Sequence, residues 1–252
     1  MCRAHSEQSS AILFRASVDY DEQLSTGDVH VWRTSTDVSD SELAKLKRLL
    51  SQDEHDRGAR FRFEQHQRRF IAGRAILREI LASYLGESPA RLRFRLAEYG
   101  KLSLHEANDI HFNLSHTGDL TVYAVTRGQP IGVDIESLRA FPDALEVAER
   151  FFSTIEYSSF SALPESDRAH AFLMSWTRKE AYLKATGRGL SLDTRLFSIS
   201  VFPDPPALVH SDEPSLEQTN WSFADLPLGP RHVGSVARQG ALGKLLLRNW
   251  GR

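Results

Sequence analysis

Short runs in which apolar and polar residues alternate predict β-strands at several places along the chain, because alternate side chains of a strand share a face. The runs are 28–34, 92–96, 110–114, 120–126 and the stretch GVDIE at 132–136. Two longer segments carry apolar residues at helical spacing and end at Gly86 and Gly187, which predicts helices over about 67–85 and 169–186. A shorter helix is predicted after Ser39, since Glu42 completes a capping-box pattern, and 203–214 is expected to be a loop. This mixture of helices and strands indicates an α/β (α+β) fold.

The two halves of the chain resemble each other. Arg78-Glu79 in the first long helix corresponds to Lys179-Glu180 in the second, and each helix ends at a glycine seven residues past its glutamate. Shorter echoes pair 28–34 with 130–136, 100–104 with 189–192, and 112–116 with 197–201. We therefore expect two related halves, 1–129 and 130–252, with a small-molecule site at their junction.

Composition narrows the class of protein. The chain has 252 residues, of which 41% are hydrophobic and 25% charged, and its formal net charge of -2 favours neither nucleic acid nor membrane as a partner. Cys2 is the only cysteine, which excludes an intrachain disulfide and fits a reducing compartment. Because the sequence has no run of membrane-spanning length and no apolar leader, the expected location is the cytoplasm.

Arginines concentrate in one segment, opposed there only by Glu64 and Glu79. A local basic block in a near-neutral protein indicates an anionic ligand, although a solvated helix face would explain it as well. The block consists of Arg57, Arg60, Arg62, Arg68, Arg69, Arg74 and Arg78.

Acidic residues recur at spacings that place them together. Asp134 and Glu136 alternate in GVDIE, so both carboxylates project from one face of the predicted strand and repel each other unless a cation lies between them. On the second long helix, Glu180 and Lys184 are four residues apart and share a face. An exposed acidic sheet edge and a simple helical ion pair would explain these residues. The functional alternative is a set of three hard oxygen ligands for Mg²⁺, with the lysine neutralising phosphate charge.

The stretch 113–118 ends a predicted strand in a polar turn. Nucleophilic catalysis by Ser115 with His116 is not favoured, because the GxSxG elbow is missing. A phosphate contact made by the hydroxyl, the imidazole and backbone N–H groups fits better, with a plain β-turn as the alternative. A zinc site including His105 and His111 is not favoured either, because HEAND at 105–109 lacks the second histidine of HExxH.

Taken together, the motifs resemble the Sfp-type 4'-phosphopantetheinyl transferases. The family pattern is G-[IV]-D-[ILV]-E followed by W-x-x-K-E-[AS]-x-x-K-x-x-G-x-G-L, and every fixed position is matched by GVDIE at 132–136 and WTRKEAYLKATGRGL at 176–190. FNLSH at 112–116 and RFFSTIEY at 150–157 are also similar to the family. The resemblance runs from about residue 57 to about residue 199. It implies two similar α/β subdomains related by pseudo-twofold symmetry, with coenzyme A and Mg²⁺ at their junction.

The resemblance also implies roles for individual residues. Asp134 and Glu180 would be catalytic metal ligands, with Glu136 assisting. Lys184 would contact the coenzyme A pyrophosphate and take part in catalysis. The implied coenzyme-binding set also contains Arg57, Arg69, Lys101, Ser115 and His116. Leu102 stands where the family has the proline of its GKP motif.

The implied reaction transfers 4'-phosphopantetheine from coenzyme A to a serine of an apo acyl or peptidyl carrier protein, releases 3',5'-ADP and depends on Mg²⁺. Such carriers serve fatty acid, polyketide or nonribosomal peptide synthesis, and the duplicated form implies a monomer. Two other functions stay open on the same residues. One is another Mg²⁺-dependent phosphoester enzyme, and the other is a nucleic-acid-binding module that uses the arginine block. The main interpretation expects no nucleic-acid or membrane partner.

Overall fold

The structure, a computed structural model, describes residues 12–14, 23–106, 108–213 and 220–251. Its strands are β1 (Ile12–Phe14), β2 (Val29–Ser35), β3 (Phe94–Leu96), β4 (Leu102–Leu104), β5 (Ile110–Thr117), β6 (Leu120–Arg127), β7 (Ile131–Ser137), β8 (Phe197–Ile199), β9 (Leu208–Ser211), β10 (Trp221–Asp225), β11 (His232–Gln239) and β12 (Leu245–Asn249). Its α-helices are α1 (Asp40–Lys47), α2 (Gln52–Ala59), α3 (Glu64–Leu85), α4 (Ala144–Phe151), α5 (Thr154–Ser161) and α6 (Glu165–Thr186). None of the helices in these described segments combines the length and the hydrophobicity that a membrane span requires.

The order of pairing repeats between the two halves. β2 pairs antiparallel with β6, which pairs antiparallel with β5, and in the same way β7 pairs with β11 and β11 with β10. β2 and β7 are each followed by two short helices, then by a helix of 22 residues, α3 or α6, and then by a two-stranded antiparallel pair, β3–β4 or β8–β9. This repeated topology confirms the expected two similar subdomains. β12 then returns to the first sheet, where it lies parallel to both β1 and β2.

Each half anchors its long helix with a buried cation. Arg78 of α3 donates from Nε to Glu54 at 2.8 Å, and Lys179 of α6 donates from Nζ to both carboxylate oxygens of Glu156 at 2.7 Å. Each carboxylate also accepts the backbone N–H three residues before it, at the start of its own short helix. Breaking a buried pair of this kind costs several kcal/mol. Lys179 therefore belongs to the core, although its neighbour Glu180 does not.

The core is arranged in four layers. Val31 of β2 and Val133 of β7 lie in one buried cluster between the two sheets. Trp32 belongs to the cluster beneath α3, and Ala181 and Ala185 of α6 belong to a cluster on the other side of the molecule. The layers are therefore, in order, α3, the sheet that contains β2, the sheet that contains β7, and α6. Residues 132, 134 and 136 of β7, which alternate with Val133, lie on the face of the strand that is turned towards α6.

Two expectations drawn from short sequence matches are wrong, and so is the expected loop. Residues 112–116 lie in β5, whose counterpart by pairing is β10, whereas 197–201 contains β8. Residues 100–104 lead into β4, whereas 189–191 form a 3₁₀ turn after α6. The expected loop at 203–214 contains β9, because that segment pairs with β8; Pro214 and Cys2 lie outside the described residues.

Candidate active site

The site begins where β7 meets α6. A Cβ atom at Gly132 would overlap the carbonyl oxygen of Ala181 and lie 2.5 Å from the amide nitrogen of Ala185. The strand therefore lies directly against the helix backbone, an approach that only glycine permits. This contact brings the acid two residues further along β7 to the lysine at the end of α6.

Asp134 is the centre of the site. Its side chain is buried, with the residue only 6% exposed. Its Oδ1 accepts hydrogen bonds from Lys184 Nζ at 2.7 Å and from Ser115 Oγ at 2.8 Å, while Lys184 Nζ also donates to Ser115 Oγ at 3.1 Å and to the carbonyl oxygen of Val133 at 3.2 Å. Its Oδ2 is buried without a hydrogen-bond partner among the described residues. A buried carboxylate oxygen in this condition fits a ligand such as a cation.

This geometry corrects two alternatives drawn from the sequence. Asp134 and Glu136 do not form an exposed acidic edge, because α6 covers the face of β7 from which they project. Lys184 forms its ion pair with Asp134 at 2.7 Å, across the junction of strand and helix. It does not form one with Glu180, four residues earlier on its own helix.

Glu136 and Glu180, both partly buried, complete the acidic group. Burial raises the pKa of the Glu180 carboxyl, and the charge of Asp134 raises it further, while Lys184 opposes both effects. Burial and then Asp134 also raise the pKa of the Glu136 carboxyl. The charge of Asp134 thus disfavours the ionised forms of Glu136 and Glu180, an effect that a bound cation would relieve. As the described side chains stand, no three of His, Cys, Asp or Glu are grouped closely enough to hold a metal ion, so the three-ligand site stays a prediction.

Alternate side chains of β5 bridge to β7 and so join the two halves. Asn113 Oδ1 accepts from the backbone nitrogen of Val133 at 3.0 Å, and Thr117 Oγ1 accepts from that of Ser137 at 3.2 Å. Ser115, between them, donates to Asp134. The FNLSH segment therefore joins β5 to β7 and orients the carboxylate of Asp134. The side chain of His116 is exposed.

A cavity of about 310 Å³ opens beside Lys184. Two other predicted coenzyme ligands line it, Arg57 from α2 and Lys101 from the turn before β4. Lys101 also connects the two halves, because its Nζ donates hydrogen bonds to the carbonyl oxygens of Ile131 at 3.1 Å and Ala185 at 3.0 Å. Burial lowers the pKa of Lys101 to about 8.

The described walls of this cavity include neither Arg69 nor His116. Their predicted phosphate contacts stay predictions. The walls do include Arg74, which lies four residues after Phe70 on the inner stripe of α3. Arg74 belongs to the basic block, but its position in the cavity wall was not predicted from the sequence. The helical spacing of 70, 74, 77 and 81 is the signal that could have placed it on the buried face.

Comparison with known proteins covers both halves. The family model described as 4'-phosphopantetheinyl transferase superfamily matches residues 130–237, and the one described as 4'-phosphopantetheinyl transferase, N-terminal, matches residues 10–128. The 4'-phosphopantetheinyl transferase HetI of Nostoc sp. is 39% identical over 220 residues, which cover 86% of this chain and 90% of HetI. Sfp of Bacillus subtilis is 32% identical over 167 residues, covering 66% of this chain and 73% of Sfp. The psf-1 transferase of Bacillus pumilus is 33% identical over 181 residues, covering 71% of this chain and 76% of psf-1.

The matches include the strand, the helix and the bridging segment from which the site is built. With both halves matched and HetI similar over most of its length, the chain belongs to the 4'-phosphopantetheinyl transferase superfamily and is an enzyme of that activity.

Proposed function

We propose that this enzyme transfers the 4'-phosphopantetheine group of coenzyme A to a serine hydroxyl of an apo acyl or peptidyl carrier protein, releases 3',5'-ADP, and requires Mg²⁺. The observation that carries the proposal is the buried Oδ2 of Asp134, which has no partner among the described residues. The same carboxylate is paired through Oδ1 with Lys184, and its charge acts on the carboxyls of Glu136 and Glu180. A binding cavity adjoins that group at Lys184.

The donor set fits a hard divalent cation. Asp134, Glu136 and Glu180 supply only carboxylate oxygens, the ligands that Mg²⁺ prefers, and they leave room for waters and substrate phosphates. When bound, the cation would supply Lewis-acid chemistry to the pyrophosphate. Burial and the charge of Asp134 raise the pKa values of the Glu136 and Glu180 carboxyls, which fits a site that receives positive charge.

The reaction is a phosphoryl transfer in which the carrier serine oxygen forms a bond to the β-phosphorus of coenzyme A. The bond from that phosphorus to the oxygen bridging it to the α-phosphate breaks, and 3',5'-ADP leaves. Lys184 offsets the negative charge that develops on the leaving group, after exchanging one of its present partners, such as the Val133 carbonyl, for a phosphate oxygen. Glu180 accepts the serine proton, a role that its raised pKa suits.

Both halves contribute to this site, Ser115 and Lys101 from the first and Asp134 from the second. A single chain can thus assemble it, so we expect an active monomer. We place the reaction in the cytoplasm, with coenzyme A and a carrier of fatty acid, polyketide or nonribosomal peptide synthesis as the partners, and without a nucleic-acid or membrane partner.

The test is to incubate the protein with coenzyme A, Mg²⁺ and an apo carrier protein and to weigh the intact carrier. The proposal expects a mass gain of one phosphopantetheine on a serine and equimolar 3',5'-ADP. Breakdown of coenzyme A without a carrier adduct would support another phosphoester enzyme. Salt-sensitive binding of RNA or DNA with no carrier adduct would support a nucleic-acid module.

A further inference from the structure

The outer edge of β7 is held by side chains. One edge of β7 pairs antiparallel with β11, whereas β5, on the other side, belongs to a different sheet. Along that outer edge, the backbone nitrogens of Val133 and Ser137 donate to side chains of β5, and the carbonyl oxygens of Ile131 and Val133 accept from lysines. The position of the strand against the first half therefore depends on a few side-chain contacts, which single substitutions can remove.

Lys101 bonds to both of the elements that build the site. Its Nζ donates to the carbonyl oxygen of Ile131 at 3.1 Å and to that of Ala185 at 3.0 Å. Ile131 directly precedes Gly132 on β7, and Ala185 is one of the two α6 residues that Gly132 approaches. A single amino group thus spans the strand and the helix beside the close approach of their backbones.

The surroundings of Lys101 fix its side chain at the end of α6. Its Cδ atom lies against Gly187, the residue that caps α6, where a Cβ would meet that atom at 3.6 Å. Ala185 lies in the last turn of α6, whose carbonyl oxygens have no N–H partner further along the helix and attract positive charge. The stem and the amino group of Lys101 are therefore both held where the helix ends.

The hydrogen-bond donors of Lys101, more than its charge, match this position. Burial lowers the pKa of Lys101 to about 8, and a lysine amine that has lost its proton still carries two N–H groups. Two carbonyl oxygens accept from it here. The neutral amine can therefore keep both bonds, whereas a residue that only balanced phosphate charge would lose its effect on deprotonation.

We propose that Lys101 is a positioning residue for the transfer, because it holds β7 against the end of α6 and so keeps Asp134 within hydrogen-bonding distance of Lys184. This inference rests on the proposed function, which gives both of those residues a part in the reaction. Asp134 follows Ile131 by three residues, and Lys184 directly precedes Ala185, so the two bonds of Lys101 adjoin the two partners of the 2.7 Å contact. Loss of the amino group would let strand and helix separate without altering Asp134 or Lys184 themselves.

The experiment separates positioning from binding of the donor, in the full chain. Lys101→Met keeps a stem of similar length and removes the donors, and Lys101→Arg keeps charged donors in a head of different shape. The matched control is Lys45→Met, since Lys45 is an exposed lysine on α1 that contacts Glu42 at 3.4 Å. The readouts are kcat and the KM of coenzyme A in carrier modification, and the calorimetric Kd of coenzyme A.

We expect Lys101→Met to lower kcat by about tenfold to a hundredfold, as a misplacement approaching 1 Å would do, and to change the KM and Kd of coenzyme A by less than about threefold. Lys101→Arg should lose less, and Lys45→Met should match the wild type. A rise in Kd that equals or exceeds the fall in kcat would show that Lys101 acts by binding the donor, and an unchanged kcat would show that it positions nothing. Either result would overturn the proposal. If Lys101→Met does not fold, Lys101→Arg decides by the same criteria.

A second readout asks whether Lys101 acts at the contact of β7 with α6. Gly132→Ala pushes the same two backbones apart, because its Cβ would overlap the carbonyl oxygen of Ala181. Its effect on kcat should therefore overlap that of Lys101→Met, and the double variant should lose no more than about threefold beyond the larger single loss. Losses that multiply would mean that the two residues act independently, which would contradict the assignment.

Failure of the proposed function is distinguishable from failure of this inference. If the wild type modifies no carrier, the proposed function is wrong. Amide hydrogen exchange still tests Lys101, because it requires no transfer and reports local opening. Lys101→Met should lose protection in 131–137 and 181–186 and keep it in 29–35, the corresponding strand of the first half. Unchanged protection in all three segments would overturn the positioning role.

Discussion

Gly132→Ala is the perturbation that tests how the site is assembled, because it adds one methyl group where β7 touches α6. The new Cβ would overlap the carbonyl oxygen of Ala181 and lie 2.5 Å from the nitrogen of Ala185, where an ordinary contact begins at about 3.4 Å. Neither atom belongs to a flexible side chain, so strand and helix must separate by close to an ångström. Overpacking of this kind costs about 1–3 kcal/mol.

The catalytic effect should exceed the effect on stability. Asp134 follows Gly132 by two residues, and its contact with Lys184 is 2.7 Å, so a separation of about 1 Å takes the pair beyond hydrogen-bonding distance. A misplacement of about 1 Å can cost roughly a hundredfold in rate. We therefore expect kcat/KM for carrier modification to fall about a hundredfold. The Tm, followed by circular dichroism, should fall by roughly 2–12 °C, at about 2–4 °C for each kcal/mol.

Gly73→Ala on α3 is the matched control. Its Cβ would meet the hydroxyl of Tyr123 at 3.6 Å and the methyl group of Thr36 at 3.7 Å, both ordinary contacts. Alanine also favours a helix over glycine by about 1 kcal/mol, so this variant should be as stable as the wild type or more so, and as active. If Gly132→Ala kept activity within about threefold of the wild type, the close approach of β7 to α6 would not be what positions the site.

Three further predictions concern other residues. Burial lowers the pKa of Lys101 from 10.5 to about 8, so between those pH values the unfolded chain binds more protons than the folded chain. The contribution of Lys101 to the free energy of unfolding therefore rises by about 3 kcal/mol as the pH increases across that window. Urea denaturation of Lys101→Met should lack this rise, and a pH slope identical to that of the wild type would contradict the prediction. Lys179→Met should lose about 3–5 kcal/mol in urea denaturation, because it leaves Glu156 buried and uncompensated; a loss under about 1 kcal/mol would show that the pair does not anchor α6. Arg69→Ala should weaken coenzyme A binding by about 1.5–3 kcal/mol and spare 3'-dephospho-coenzyme A, whereas equal weakening of both would show that Arg69 does not bind that phosphate.

The local spacing of apolar and polar residues was enough to predict the strand and the long helices that carry the site, but not the residues at which the helices begin. The two long helices start at Glu64 and Glu165, ahead of the predicted 67 and 169, because their first turns are polar and the apolar period begins only afterwards. Helices α2, α4 and α5 were not predicted. The capping pattern of Ser153 with Glu156, which the structure shows, is the signal that could have revealed α5.

Long-range pairing could not be predicted from the sequence. β12 lies between β1 and β2, its partners being more than two hundred residues away along the chain. Such pairing depends on packing between distant segments, which no local period records. The match between 112–116 and 197–201 misled for the same reason, since β5 belongs to the five-stranded sheet whereas β8 belongs to the separate β8–β9 pair.

For the candidate site, the alternation in GVDIE correctly put Asp134 and Glu136 on one face of a strand, but could not say what covers that face. The glycine that opens the motif was the available clue, because a glycine inside a strand marks a close approach of another backbone. The pairing of Lys184 with Asp134 follows from that approach. The helical spacing of Glu180 and Lys184 left a local ion pair open as the alternative explanation, and the structure does not form that pair.

The central claim is that the carboxylates hold a cation needed for transfer while Lys184 acts on the leaving group. The direct test is to titrate Mg²⁺ against coenzyme A-loaded protein and follow carrier modification by mass, in the wild type, Glu180→Gln, Lys184→Ala and the control Glu165→Gln, an exposed acid at the other end of α6. We expect Glu180→Gln to lose turnover and to need more Mg²⁺. Lys184→Ala should lose turnover without weaker Mg²⁺ activation, because the ammonium that it removes only competes for Asp134. If Glu180→Gln and Lys184→Ala both kept wild-type turnover and Mg²⁺ dependence, the acidic group and its lysine would be structural, and the active site would lie elsewhere.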